Sequence, residues 1–366
     1  MNKTTADPRA GARQPRSEPG PEAAVDLCAA VERHLGVRPA AVRVFEDTSS
    51  FVGIDRGDAL RLGGRTYLVT GTVREEGFGL DEQPKYWVKR AVDLASGADK
   101  IVKLVFLEQF ELPFGGRRVR CFRSPAKEAH VLEVVRRHPQ FMKGSSVRDG
   151  AGNLVRVLDF IAGPSLEGLW SSRPGGHEEY FHEELPRLLW RFLPCLEGLR
   201  FLHERGERHG DVRADHVIVE RESGLLRWID FDYDFECPGA PFALDVFGAG
   251  SVLASLVGRG VLDCHRIDRD PALAHVASRL GADDLSAIDG WRVVNLRACY
   301  PWVPVALNRV LMRFSAGSGR SHASVGELIE DIGDALSGLF SPRGLDVSST
   351  DSPATGARHA WRAQHD

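Results

Sequence analysis

The sequence has little that would commit it to a membrane, a disulfide scaffold or a polyanion. No window approaches the roughly 18 consecutive apolar residues that a spanning helix needs. The opening stretch MNKTTADPRAGARQPRSEPG has no apolar core of the signal-peptide kind. The six cysteines (Cys28, Cys121, Cys195, Cys237, Cys264, Cys299) are scattered, with no CxxC pair and no metal-ligand spacing. They read as reduced thiols of a cytoplasmic protein. Charge of one sign is also lacking: Lys and Arg total 47 against 51 for Asp and Glu, a formal net charge of −4. That balance gives no electrostatic reason to expect nucleic acid or an anionic membrane as partner. There is no internal repeat.

What is present suits a soluble chain with a sizeable core. Of the 366 residues, 43% are hydrophobic and 27% charged. Residues 1–22 and 341–366 are rich in Pro, Gly, Ser and Arg without apolar periodicity. They are expected to be disordered tails, since neither buries enough apolar surface to offset chain entropy. Between them the texture changes once. RTYLVTGTV, KYWVKRAVDL, KIVKLVF and NLVRVLDFI are β-rich runs separated by Gly, Asp and Ser turns. One helix interrupts them, SPAKEAHVLEVVRRH, with Ser124 as its cap and Pro125 in its first turn. After Gly163 the runs ELPRLLWRFLPCLEGLRFLHERG, LDVFGAGSVLASLVG, VPVALNRVLMRF and SVGELIEDIGDALSGL carry helical apolar stripes. A β-rich half followed by a helical half predicts an α+β chain of two lobes, with a ligand cleft between them.

The densest signal is LRFLHERGERHGDVRADHVIV followed by LLRWIDFDYDF. Asp211 follows a His-Gly pair in a loop after a long helix, and Asp230 ends an apolar strand 19 residues later. This resembles the catalytic loop and the metal-binding Asp-Phe-Gly segment of the protein kinase superfamily. The His-Gly-Asp triplet also resembles that of its aminoglycoside-phosphotransferase-like branch. The upstream half agrees in spacing: Val88 stands nine residues before the turn residue Gly97, and Lys103 six after it. The resemblance spans residues 65–339 and implies a bilobal protein-kinase-like fold, with a β-rich small lobe and a helical large lobe. Its implied division is a tail (1–22), an N-terminal extension (23–64), a small lobe (65–160), a large lobe (161–340) and a second tail (341–366). The extension lies outside the resemblance, with a helix and a hairpin packed on the small lobe, or a docking element, both open.

The resemblance also implies roles. Phosphoryl transfer needs a carboxylate to take the acceptor's proton and a metal to neutralise phosphate charge. Asp211 would be the base or aligning group, Asp230 the metal ligand, and Arg213 a stabiliser of the γ-phosphate. Lys103 would grip the α- and β-phosphates, held by Glu128, with Glu133 the second choice. Val88 and Ile101 would roof the adenine, Leu158 would be the gatekeeper, and the backbone of Asp159 and Ile161 would meet the adenine edge. Asp245 would hydrogen-bond the backbone of the catalytic loop. The implied cofactors are ATP with Mg2+ or Mn2+, and the implied partners a nucleotide and an unknown protein or small-molecule phosphoacceptor.

Four departures from the family pattern bear on function. Only Gly77 and Gly79 stand in for a three-glycine phosphate loop, set far upstream with Pro84 between them and the strand. His216 occupies the place of a metal-binding Asn, and both a ligand and a non-ligand role stay open. Asp232 replaces a glycine and either adds to the metal site or caps a turn. Only fourteen residues, FDYDFECPGAPFAL, separate Asp230 from Asp245, with no Ser or Thr among them. Catalytic loops that pair with a phosphorylated activation loop use an Arg where this chain has Gly210. The expectation is therefore an ATP-dependent phosphotransferase without a conventional activation loop. The alternatives are a pseudokinase or ATP-binding scaffold, a small-molecule kinase, and nucleotidyl transfer on the same fold.

Overall fold

The structure, a computed structural model, describes residues 26–74, 84–171 and 175–337. The expected tails and both loop glycines, Gly77 and Gly79, lie outside the described residues. The chain divides into two compact units, Met1–Leu104 with Val147–Asn153, and Val105–Ser146 with Leu154–Asp366. The content is mixed, sheets with many helices, and is compatible with a two-lobed kinase-like fold.

In the first unit a short helix, α1 (Leu27–Leu35), is capped by Asp26, which accepts from the Ala29 N–H at 3.1 Å. It ends at Gly36 in the left-handed region, with φ of 79°. Strands β1 (Val44–Phe45), β2 (Ala59–Leu62), β3 (Arg65–Arg74), β4 (Pro84–Asp93) and β5 (Asp99–Lys103) follow and lie side by side in that order. β1 runs parallel to β2, and the remaining neighbours are antiparallel. Gly63 and Gly64, both at positive φ, form the two-residue turn between β2 and β3, which a side-chain-bearing pair would strain. Ile54, Leu60, Leu62, Leu68, Val69 and Val102 are buried around these strands. Lys89 is buried among them, its ammonium donating to the Ile54 carbonyl at 2.5 Å. Residues before Arg65 are thus part of this unit's core and its sheet.

In the second unit β6 (Gln109–Phe114) and β7 (Arg117–Arg123) lead into α2 (Pro125–Val135). Ser124 caps that helix, accepting from the Lys127 N–H at 3.2 Å, and Pro125 fills its first turn. β8 (Gly144–Arg148) begins in this unit, β9 (Leu154–Asp159) lies within it, and the Lys143 carbonyl accepts from the Asp159 N–H at 2.8 Å. Helices α3 (Gly168–Ser171), α4 (His177–Glu183) and α5 (Leu185–His203) bring the chain to the loop carrying Asp211. β10 (Val217–Val219) and β11 (Leu226–Trp228) form an antiparallel pair that ends just before Asp230. β12 (Tyr233–Glu236) then joins β7, with Tyr233 opposite Arg123 and Phe235 opposite Cys121.

The remaining helices are α6 (Ala243–Gly258), α7 (Cys264–Arg269), α8 (Ala274–Ala277), α9 (Leu296–Cys299), α10 (Val305–Met312) and α11 (Val325–Ser337). α6 is apolar nearly all round and buried, as a helix enclosed by others must be. Leu196, Leu199, Val252, Leu253, Leu256, Leu328 and Ile332 fill the core that α5, α6 and α11 share. Among the described residues no helix is long and apolar enough to cross a membrane. All six cysteines are free thiols.

Candidate active site

The apolar strand β11 runs out at Trp228, and two residues later Asp230 sits at φ of 63°. That left-handed conformation is uncommon for a residue with a side chain and is best tolerated by Asn and Asp. Asp211 comes from the loop after α5, and a short 3₁₀ turn at Ala214–His216 swings His216 back beneath it. Three candidates from within twenty residues of one another therefore meet. The His216 Nδ1 lies 3.4 Å from an Asp211 carboxylate oxygen and 3.0 Å from the Asp211 carbonyl. Its Nε2 lies 3.4 Å from the Asp230 carboxylate and 3.8 Å from that of Asp215.

The electrostatics follow from that packing. Burial works against charge on His216, but the carboxylates of Asp211, Asp230 and Asp215 outweigh it and raise its pKa above the ordinary histidine value. Burial raises the Asp211 pKa, with His216 and Arg213 pulling it part of the way back. A carboxylate pushed upward in this way holds a proton more readily, as a group that accepts one must. Arg213 is exposed and grips Asp215, its Nε donating at 3.0 Å. Asp215 is thus tied into the same cluster.

The loop itself is fixed from below. Asp245, buried at the start of α6, accepts from the N–H groups of His209 at 2.7 Å and Gly210 at 2.8 Å, and pairs with His203 at 3.0 Å. This is the backbone contact expected of it. His209 is wholly buried against Trp228 and Phe231, and burial lowers its pKa to about 3, so it stands neutral.

Glu128 lies on the buried face of α2, and Arg156 of β9 donates to it at 2.9 Å. Sequence reading passed over Arg156, although an arginine inside the apolar run NLVRVLDFI signals a buried carboxylate elsewhere. Glu133, the second choice, is exposed. Asp232 is buried at the head of β12 and accepts from Arg123 at 2.7 Å. Asp232 also raises the Arg123 pKa against the effect of burial. Arg123, likewise unremarked in the sequence, stacks 4.2 Å from the Tyr233 ring centroid.

One oxygen each from Glu128, Asp230 and Asp232 lie within 4.8 Å of one another. An all-oxygen set of that size suits a hard divalent cation. Glu128 and Asp232 each face an arginine, and Asp230 belongs both to this set and to the His216 cluster. The residues present therefore fit a metal centred on Asp230.

The other candidates fall into two groups. In the first unit Val88 and Lys103 stand directly opposite in the β4–β5 register, both buried, while Ile101 is opposite Arg90. Strand alternation puts Val88, Ile101 and Lys103 on one face. In the second unit Leu158 is buried near the end of β9, and Gly144 is so close that an added methyl would lie 2.5 Å from the Val157 carbonyl. Asp159 is exposed and Ile161 half-buried just beyond that strand.

Comparison with known proteins supports a protein-kinase-like superfamily for this chain. It is similar to Lok, an ovarian-specific serine/threonine-protein kinase of Drosophila melanogaster, at 27% identity over 173 residues, 43% of this chain and 34% of that protein. It is similar to CBL-interacting protein kinase 17 of Oryza sativa subsp. japonica at 27% identity over 169 residues, 46% of this chain and 34% of that one. The nitrogen permease reactivator protein of Saccharomyces cerevisiae matches at 22% identity over 260 residues, 67% of this chain and 30% of its own length. The chain thus spans about a third of the length of these relatives. No family model matches it.

Proposed function

We propose that the chain is an ATP- and divalent-metal-dependent phosphotransferase of the protein-kinase-like kind. The observation that carries this reading is the meeting of Asp211, His216 and Asp230, three side chains from separate elements, around one point. Asp211 is the proposed base, Asp230 the proposed metal ligand, and His216 and Asp232 the proposed additional metal-facing groups. The metal would neutralise charge on the transferring phosphate. Lys103 is the proposed phosphate-binding lysine, with Val88, Ile101 and Leu158 the apolar groups toward the base and Asp159 and Ile161 the backbone contacts. Glu128 is the proposed partner that holds Lys103, with Arg156 beside it, and Arg213 is a secondary phosphate-facing group tethered by Asp215. Gly77 and Gly79 complete the proposed phosphate flap. The lobe boundaries at 65–160 and 161–340, and a cytoplasmic setting, belong to the same proposal.

The acceptor surface is proposed to be unconventional. The fourteen residues between Asp230 and Asp245 include β12, paired to β7, so little chain is left for a peptide-docking segment. That favours a small-molecule acceptor as much as a protein one. A second reading, an ATP-binding scaffold without turnover, draws support from His216 standing between the two acids where a metal would compete with it.

Turnover of labelled ATP with Mg2+ and with Mn2+, by the protein alone and with metabolite and lysate pools, separates these readings. Asp211→Asn is expected to abolish transfer and keep nucleotide binding. Unchanged turnover in that variant removes the base assignment, and nucleotide binding without turnover in the parent protein establishes the scaffold.

A further inference from the structure

Lys127, one residue before Glu128 on α2, uses all three of its ammonium protons on main-chain carbonyls. It donates to the His209 carbonyl at 2.6 Å, to Phe231 at 2.8 Å and to Tyr233 at 2.9 Å. An ammonium has three donors, so the group is saturated. The three carbonyls flank the two acids: His209 lies two residues before Asp211, and Phe231 and Tyr233 one and three residues after Asp230.

The backbone has been shaped around this contact. Gly210 adopts φ of 88°, and a methyl group built on it would lie 1.8 Å from the Tyr233 carbonyl oxygen and 3.4 Å from the Lys127 Nζ. No side chain fits there, which gives a steric reason for the glycine of His-Gly-Asp. On the other side of the same loop the N–H groups of His209 and Gly210 point to the buried Asp245. A carboxylate thus holds the donor side of the loop and an ammonium the acceptor side. Charged hydrogen bonds of this kind are the stronger ones.

We infer that Lys127 is a positioning residue: by holding the carbonyls of His209, Phe231 and Tyr233 together, it sets Asp211 against Asp230 with no modification of the segment between Asp230 and Asp245. The inference rests on the phosphotransferase reading for its kinetic consequence and on the geometry alone for its structural one. Arg208 makes a further tie, to the Phe235 carbonyl at 2.7 Å and Asp234 at 3.0 Å, but farther along β12. Next to Asp230 the Ser124 N–H donates to the Asp232 carbonyl at 2.6 Å and Arg123 to the Asp232 carboxylate at 2.7 Å, and Lys127 adds the ties to the carbonyls on either side of Asp232 and to the Asp211 loop.

The test uses the full chain, with Lys127→Met and Lys127→Arg compared by steady-state kinetics and by amide hydrogen exchange. In Lys127→Met, kcat is expected to fall by about 10²-fold, as for a small misplacement of reacting groups. KM for ATP is expected to stay within about threefold, since nucleotide binding is not what the contact serves. Lys127→Arg, which keeps donors and charge, is expected to recover about tenfold of the loss.

Exchange is expected to quicken by about tenfold or more at 209–212 and 231–234 together, with α6 unchanged. Should wild type transfer no phosphate, the proposed function fails, and the exchange comparison alone decides this inference. Should Lys127→Met not fold, Gly210→Ala takes its place, because its methyl group displaces the Tyr233 carbonyl with the lysine still present. Undiminished kcat in Lys127→Met, or unchanged exchange in either segment in the variant that folds, overturns the inference.

Discussion

The Nε of Arg156 lies 2.9 Å from a carboxylate oxygen of Glu128, and both side chains are wholly excluded from solvent. Such a pair stabilises little against an apolar replacement of both members, yet removing one member strands a charge in the core. Glu128 also has Asp230 and Asp232 close by, so losing Arg156 would take a positive charge away from a cluster of acids. Arg156→Met is therefore expected to cost about 3–5 kcal/mol in urea unfolding. The double variant Arg156→Met with Glu128→Leu is expected to recover much of that loss. Equal losses in the single and double variants would show that the pair is not coupled.

His216 gives the second prediction. Its ring faces Asp211 from one nitrogen and Asp230 from the other, and imidazole is a softer ligand than a side-chain amide oxygen. Replacing it by Asn removes a ring whose charged form the three acids favour and supplies an oxygen that Mg2+ prefers. His216→Asn is expected to raise the ratio of Mg2+- to Mn2+-supported ATP turnover by about tenfold, the scale of a changed ligand type. A ratio equal to that of wild type would place His216 outside the metal's surroundings.

The parts of the fold and site legible in the sequence are those with a local signal. Ser124 and Pro125 announced α2, and the spacing of Val88, Gly97 and Lys103 announced a hairpin in which Val88 stands opposite Lys103. The link from Asp245 to the loop was legible because its family resemblance fixed both ends. What was not legible depends on tertiary approach. Lys127 reads as one more charge on a helix surface, and only the fold brings three carbonyls to it. Asp232 read as an extra ligand or a turn cap, because its partner Arg123 lies 109 residues away. The role of β12 was hidden for the same reason, since strand pairing with β7 has no signature in FDYDFE. Gly210 was seen as a lost arginine, whereas its space requirement comes from Tyr233.

Asp149 supplies a pH dependence within the first unit. Its carboxylate accepts from the Thr48 N–H and hydroxyl, each at 2.7 Å, and from the Asn153 N–H at 2.8 Å. Burial alone would raise its pKa, but these hydrogen bonds outweigh it and bring the value down to about 2 from 3.8. A depressed carboxylate stabilises the folded state fully above the unfolded value and loses that contribution as pH falls from 4 toward 2. Asp149→Asn is expected to be less stable than wild type by about 2 kcal/mol at neutral pH, with the difference shrinking toward zero near pH 2. A difference independent of pH would mean that packing, not the carboxylate, is what the substitution disturbs.

His177 in the second unit titrates in the opposite chemical sense with the same outward sign. Its ring lies flat on Tyr300, centroids 3.4 Å apart and planes 6° from parallel. Trp302 donates its indole N–H to Nδ1 at 3.0 Å, which requires Nε2 to carry the proton and donate to the Val257 carbonyl at 2.8 Å. Both ring nitrogens are thus committed in the neutral form. Burial lowers the pKa to about 4 from 6.5, helped by Arg266 and Arg259 and opposed by the Val257 bond. Between those values the unfolded chain binds the extra proton and the folded one does not, so stability rises with pH across this window and is level above it. His177→Phe keeps the stacked ring and cannot titrate. It is expected to remove about one proton from the pH dependence of unfolding between pH 4 and 6.5, while losing about 1–2 kcal/mol at neutral pH from the two hydrogen bonds. Denaturant midpoints for both proteins at half-unit pH steps give the comparison, and parallel curves through that window would mean that His177 is not held neutral by its neighbours.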